Sequence, residues 1–249
     1  MSRPVNGHRG STTAERRSGN LLLIAVRAPV AGETKTRLGA TIGMERAARV
    51  YAAFLEDLAL RFMPSASGGG DYDFRWAVAP SDLPFRDGLT KICDFPPPAD
   101  VQFVEQVGDD WTIRQINLLR WGHDQGYERT VLIASDSPHL AREIPMLAFR
   151  ALEDHDIALG RVSDGGYYLI GQRGAHDILK NIEMSTDQVA EQIVRQARRQ
   201  GLRLAELPAT FDIDDADDLA RLRCELAPDG IAAPATWRAL HELGLVDAD

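Results

Sequence analysis

The chain has 249 residues, 44% of them hydrophobic and 26% charged, with 28 lysines and arginines against 37 acids for a formal charge of −9. A chain of this length buries roughly 70–75% of its unfolded surface, so it makes one large domain, with room for an appendage, and needs no disulfide or metal staple. The acidic balance repels a phosphate backbone and excludes a general nucleic-acid binder, yet leaves room for a small nucleotide held by a local basic loop.

In chain order, residues 1–19 read as a disordered basic tail: Arg3, Arg9, Arg16 and Arg17 stand against Glu15, with no apolar core of a secretory signal. Leu21–Val26 is a continuous apolar run of strand length, as in a strand buried on both faces of a parallel sheet. It is far short of the ~20 residues of a membrane span. A loop rich in Pro, Gly and basic residues, Arg27–Arg37, follows. Apolar residues at three- and four-residue steps predict a helix over Met44–Phe62, ended by Pro64 and a Ser67–Gly70 connector. Phe74–Ala79 reads as a strand, Ser81–Pro98 with its four prolines as an irregular excursion, and Val101–Val104 as a short strand. Helices are expected at Trp111–Gln125, Pro145–Glu153, Asp187–Gln200, Asp215–Leu226 and Pro234–Leu243. Strands are expected at Thr130–Ala134, Ile157–Leu159, Gly166–Ile170 and Leu202–Leu207. This alternation predicts an α/β fold with a mainly parallel sheet, in which ligands sit at the carboxyl ends of strands. Cys93 and Cys224, far apart and without CxxC, exclude a disulfide framework and a cysteine zinc site. Both read as reduced packing residues, which places the chain in the cytoplasm.

Four constellations carry chemistry. After the first strand, Arg27, Lys35 and Arg37 supply cations, with Pro29, Gly32 and Thr36 between them. Gly32 permits close backbone approach, and backbone N–H groups can cradle phosphate oxygens. Arg offers a bidentate fork and Lys a compact charge. GxxxxGK[ST] is absent, so this is no P-loop, and the plain alternative is a solvated basic turn. Ser135-Asp136-Ser137-Pro138 ends a buried strand, where a carboxylate is either a hard ligand for Mg²⁺ or Mn²⁺ or a helix cap. In Asp212-Ile213-Asp214-Asp215, alternation points Asp212 and Asp214 to one side; the alternative is capping and first-turn acids of the next helix. Asp164, Gly165, Gly166 and Tyr167 open an aromatic strand, either beside a ligand or in a tight hairpin turn with core tyrosines. Two like charges 4 Å apart repel by about 4 kcal/mol at an effective dielectric of 20, so a polyphosphate beside Asp136 and Asp214 requires a bridging divalent cation.

In this order the motifs Arg27-x-Pro-x-x-Gly-x-x-Lys-Thr-Arg-Leu38, Ser135–Pro138, Asp164–Gly171 and Asp212–Asp214 resemble a bacterial GT-A-like glycosyltransferase family of unknown function. Some of its members are associated with arsenosugar biosynthesis. It is similar to 2-phospho-lactate guanylyltransferase and to sugar-nucleotide nucleotidyltransferases. The resemblance covers about residues 20–226 and implies a GT-A (Rossmann-like) three-layer α/β sandwich, leaving residues 227–249 as a helical appendage. By position it implies that Arg27, Pro29, Gly32, Lys35, Thr36 and Arg37 contact nucleotide phosphates. It implies that Asp136 and Asp214 hold Mg²⁺ or Mn²⁺, with Asp212 a further candidate, and that Asp164, Gly165, Gly166 and Tyr167 face an acceptor. The family usually carries a Gly-Asp-Leu-Gly-Glu-Arg-like segment before its second long helix. Here the segment is Gly108-Asp109-Asp110-Trp111-Thr112-Ile113-Arg114, with Trp111 at a small position.

Three functions stay open. In the first, an NTP donates a nucleotidyl group to a small phosphorylated or oxyanion acceptor, with Lys35 and Arg37 stabilising the leaving pyrophosphate beside Asp136 and Asp214. The second is glycosyl transfer from a nucleotide-sugar, with a carboxylate such as Asp164 as base. The third is a nucleotide-binding protein without catalysis. The last helix, with Trp237, Leu240 and Leu243, offers a surface to a second copy of the chain in a homodimer.

Overall fold

The structure is a computed structural model that describes residues 18–64, 71–79, 102–184 and 186–246. Among these, the strands are β1 (Asn20–Val26), β2 (Asp73–Val78), β3 (Gln102–Glu105), β4 (Arg129–Ala134), β5 (Ile157–Val162), β6 (Tyr167–Arg173) and β7 (Leu204–Thr210). They form one sheet in the order β3-β2-β1-β4-β6-β5-β7. β1 lies parallel to β2 and β4, with Leu23 opposite Arg75 and Leu132. Its apolar run divides between two cores. Leu22, Ile24 and Val26 pack on one face and Leu21, Leu23 and Ala25 on the other, because successive side chains of a strand point to opposite sides.

Helices cover both faces. α1 (Thr36–Ile42), α2 (Met44–Phe62), α4 (Ile144–Asp154), α6 (Ala216–Leu226) and α7 (Pro234–Glu242) contribute to the first core. α3 (Trp111–Asp124) and α5 (Val189–Arg199) contribute to the second. The result is the α/β fold with a mainly parallel sheet that the alternation predicts, in the three-layer sandwich that the resemblance implies. The sheet is parallel except at β6, which runs antiparallel to both β4 and β5. The Asp164-Gly165 segment is therefore the hairpin turn that was one of its two readings, with Gly165 at φ 91. Because β6 reverses the direction, β1, β4, β5 and β7 all end at the same edge, and the β5–β6 turn lies there too.

α1 had no counterpart in the sequence reading, which ran the basic loop straight toward α2. The last helix, offered as a contact to a second copy, packs on α2 of its own chain, with Leu240 buried and Trp237 partly so. Asp57 of α2 fastens it by accepting hydrogen bonds from the N–H groups of Ala235 and Thr236 and from the Thr236 hydroxyl, at 2.8, 2.8 and 2.6 Å. Those N–H groups open the first turn of α7, so a carboxylate there acts as a cap delivered from another helix. Cys224 is exposed, not packed. Cys93, the Ser67–Gly70 connector and the Ser81–Pro98 excursion lie outside the described residues.

Candidate active site

The site is built where β1 and β4 end. Lys35 is the residue before α1 and adopts left-handed backbone angles, φ 51 and ψ 45, which are uncommon for a side chain with a Cβ. The turn is fixed by Thr34, whose hydroxyl donates to the Ala28 carbonyl at 2.5 Å. The Lys35 side chain, only 5% exposed, then places Nζ 2.5 Å from Asp136 Oδ1 and 2.9 Å from Asp214 Oδ1. Arg37, largely exposed, pairs with the other oxygen of Asp214. Asp136 and Asp214 are 78 residues apart in the chain, and one ammonium joins them.

Backbone links bring them together. Ile213 N–H donates to the Asp136 carbonyl at 3.0 Å, and the Ser137 hydroxyl donates to the Phe211 carbonyl at 2.7 Å. The segment after β7 is thereby drawn across to the tip of β4. Arg61, from the last turn of α2, donates to the carbonyls of Pro138, Leu140 and Ala232 and braces the same turn from below. Both readings of the acid run are realised on different residues. Asp215 caps α6, accepting from Asp217 and Asp218 N–H, while Asp218 accepts from Asp214 N–H at 3.0 Å. Asp214 itself is left facing the lysine.

Tyr51 of α2 belongs to this network, although the sequence placed it in an apolar stripe. It is buried, and its hydroxyl accepts from Arg27 N–H at 3.1 Å and lies 2.7 Å from Ser135 Oγ. Either hydroxyl can donate in that pair. Tyr51 therefore ties the start of the basic loop to the turn that carries Asp136. Burial, then Asp136, push it up to about 12, so it stays a neutral phenol. The only signal in the sequence was a hydroxyl within a core stripe, which must find a partner when buried.

Charge is unevenly shared. Burial pulls the Lys35 ammonium down, but Asp136 and Asp214 outweigh it and hold the group above its ordinary value. Burial would raise Asp214, yet Lys35 and Arg37 prevail and keep it below the usual carboxylate range. Asp212 has no such help: burial, then Asp214, Asp164 and Asp136, push it up to about 6. Asp136, Asp164, Asp212 and Asp214 thus gather at the strand tips, where Lys35 and Arg37 pair with Asp136 and Asp214. Among the described residues no set of three or more Asp, Glu, His or Cys side chains is arranged to hold a metal. One or two carboxylates with room for ligand oxygens nevertheless suit Mg²⁺, a hard cation that rarely takes an all-protein cage.

Two adjoining cavities flank Asp214. A loop-side cavity of about 390 Å³ is lined by Arg27, Lys35, Thr36, Arg37, Tyr51, Gln106, Arg114 and Asp136. A hairpin-side cavity of about 460 Å³ is lined by Asp164, Gly166, Tyr167, Gln115, Asp187 and Asp212. Trp111, Arg37, Ala134 and Asp214 line both. The structure thus brings together Arg27, Lys35, Thr36, Arg37, Asp136, Asp212, Asp214, Asp164, Gly166 and Tyr167. Pro29, Gly32 and Gly165 line neither cavity. Gly32 at φ 82 shapes the turn, and Gly165 lets the hairpin approach Asp187, whose carbonyl a Cβ would overlap. Besides Tyr51, the sequence reading passed over Gln106 and Gln115, whereas Trp111 stood out there as a departure from the family's pattern. Gln106 donates to the Val26 and Ala77 carbonyls at 3.2 and 2.7 Å and closes the ends of β1 and β2.

This fold, with a cleft at the carboxyl edge, is the architecture of nucleotide-diphospho-sugar and nucleotidyl transferases. Residues 79–186 match a family model described as an uncharacterized protein conserved in bacteria (DUF2064). A proposed nucleotide-diphospho-sugar transferase from Desulfovibrio desulfuricans G20 is 28% identical, with a TM-score of 0.82 over 93% of this chain and 100% of that one. A 4-diphosphocytidyl-2C-methyl-D-erythritol synthase from Anaerococcus prevotii DSM 20548 shares the fold at 9% identity and a TM-score of 0.53, covering 84% of this chain and 96% of that one. A cytidylyltransferase from Leptospira borgpetersenii does so at 12% identity and 0.50, covering 93% and 96%. A search of curated proteins finds no match to the chain. Among the described residues, no helix is long and apolar enough to cross a membrane.

Proposed function

We propose that the chain is a nucleotidyltransferase-like enzyme that takes a nucleotide in the loop-side cavity and an acceptor in the hairpin-side cavity. The observation that carries this reading is Lys35 Nζ, on the wall of the loop-side cavity, seated between Asp136 and Asp214, the second of which lines both cavities. Arg27, Lys35, Arg37 and Arg114 around one cavity supply the cations that an NTP requires. Asp136 and Asp214, with Asp212 beside them, would hold Mg²⁺ or Mn²⁺, which supplies neutralisation of phosphate charge. Lys35 orders the two carboxylates before substrate arrives, and Arg37, reaching from the solvent side, is placed to follow charge onto the departing group. In the transfer, an acceptor oxygen bonds to the α-phosphorus and the bond to the β-phosphate oxygen breaks. Pyrophosphate leaves with the electron pair, and the acceptor proton passes to a hairpin-side carboxylate such as Asp164. No covalent enzyme intermediate is needed.

A second reading is glycosyl transfer from a nucleotide-sugar, with the nucleoside diphosphate as leaving group. The carboxylate-rich hairpin-side cavity, a setting for an acceptor hydroxyl, favours it. Turnover with each NTP, read as pyrophosphate, and with UDP- and GDP-sugars, read as nucleoside diphosphate, separates the two. NTP-dependent pyrophosphate release that EDTA abolishes supports the first. Nucleoside diphosphate release alone transfers the assignment to the second. Nucleotide binding with neither product leaves the third function, binding without catalysis.

A further inference from the structure

The hairpin-side cavity has a lining that specifies more than transfer chemistry. Gln115 of α3 is 1% exposed and forms part of its wall. Its Oε1 accepts from the Tyr167 hydroxyl at 2.9 Å, but its Nε2 has no hydrogen-bond partner among the described residues. A buried amide nitrogen without an acceptor is uncommon, and at the wall of a cavity it points to a ligand oxygen. Around it stand Asp164, Asp187, Asp212 and Asp214, with Arg37 the one cation among the described lining residues. Trp111, 41% exposed, adds an aromatic surface.

We infer that this cavity binds a neutral, hydroxyl-rich acceptor of the monosaccharide or polyol class, with Gln115 Nε2 donating to one of its oxygens. The inference rests on the proposed function for the word acceptor, and on the lining alone for the ligand class. A phosphorylated or oxyanion acceptor, expected from the sequence, would bring negative charge against four carboxylates of which Arg37 relieves one. A purely cationic ligand would suit the carboxylates but leave the Gln115 donor unmet. A hydroxyl group both donates and accepts, so several on one carbon skeleton satisfy carboxylates and amide together. The Trp111 ring offers its face to the C–H side of such a skeleton.

The test uses the full chain with a panel of glucose, mannose, galactose and inositol, their phosphates, and glucosamine, followed by saturation-transfer NMR and titration. At least one neutral member is expected to bind, and to bind about tenfold more tightly than its phosphate or amine counterpart. Gln115→Glu keeps the oxygen that accepts from Tyr167 and replaces only the donor. It is expected to weaken the neutral ligand about tenfold, the effect of leaving one buried polar contact unmade. Thermal shift with ATP, CTP, GTP and UTP on the same variant is expected to match the parent. Binding confined to phosphates or to glucosamine, no binding by any neutral member, or an unchanged affinity in Gln115→Glu overturns the inference. Should Gln115→Glu not fold, the panel on the parent chain decides by itself. Sugar binding that persists while every nucleotide fails to bind overturns the proposed function and leaves this inference standing.

Discussion

The two sides of Asp214 are built from the same kinds of side chain and end in opposite electrostatic states. On the loop side, Asp136 and Asp214 share Lys35, and Arg37 adds to Asp214. On the hairpin side, Asp212 lies among Asp214, Asp164 and Asp136 with no cation in contact among the described residues, and is pushed up to about 6 by burial and then by those neighbours. A few ångströms thus separate a charge-paired, pre-ordered wall from one with unmet acceptors and an unmet donor. A paired site changes little when phosphates and a cation arrive together, which is what preorganisation requires. An under-compensated site selects its ligand by what that ligand must supply.

The largest expected effect comes from making the loop side resemble the hairpin side. Lys35→Met leaves Asp136 and Asp214 facing each other with only Arg37 in contact. Turnover is expected to fall about a thousandfold, within the range for loss of a preorganised electrostatic group. Stability is expected to drop by about 2 kcal/mol, since both carboxylates are partly solvated; denaturant titration measures this. Unchanged turnover would show that the paired wall is structural only.

Next in size is Gly165→Ala. The added Cβ overlaps the Asp187 carbonyl, and φ 91 is a strained angle for alanine. A loss of about 3 kcal/mol is expected, with the hairpin-side cavity deformed and nucleotide affinity kept. Equal losses on both sides, read by titrating each ligand, would refute the separation of the two cavities.

His139 tests the floor beneath both sides. Its Nε2 lies 2.9 Å from Thr210 Oγ1, its Nδ1 is buried without a partner, and its ring stacks on Phe211. Burial, then Arg61 and Arg221, bring it down to about 4, so the folded protein holds it neutral. The unfolded chain takes up a proton near pH 6.5 that the folded one refuses. Stability is therefore full above about 6.5 and falls as pH drops toward 4, by roughly 3 kcal/mol. In His139→Gln the pH dependence of urea midpoints across that window is expected to flatten.

The smallest effect sharpens the loop side alone. Tyr51→Phe removes the hydroxyl joining Arg27 N–H to Ser135. The core packing survives, and turnover is expected to fall about tenfold, corresponding to one lost buried hydrogen bond. A Gln115-dependent ligand in the second cavity is expected to bind as before.

Much of this was legible in the chain. The run Leu21–Val26 announced a strand buried on both sides because every residue in it is apolar, and the alternation of strands and helices announced an α/β fold with a mainly parallel sheet. The basic loop, Ser135–Pro138 and Asp212–Asp214 fall at strand ends, so their common edge followed from the rule for open α/β sheets. Tyr51 was illegible because hydroxyl and ring serve different masters: periodicity reports only the ring. α1 was missed because Lys35 and Gly43 bound a helix of seven residues with neither a side-chain cap nor an acidic first turn. The Asp164–Gly166 segment left hairpin and ligand loop equally open, and it is both a turn and, through Asp164 and Gly166, a cavity wall.

The sequence by itself determined the class of fold and the inventory of charges, since both rest on local periodicity and residue type. Only the tertiary structure decided which charges meet. That Lys35 neutralises Asp136 and Asp214 while Asp212 goes without depends on β6 running backwards, and on Ile213 and Ser137 drawing the end of β7 to the tip of β4. Coulomb energies vary inversely with distance and with local solvation, and neither quantity is written in the order of residues along a chain.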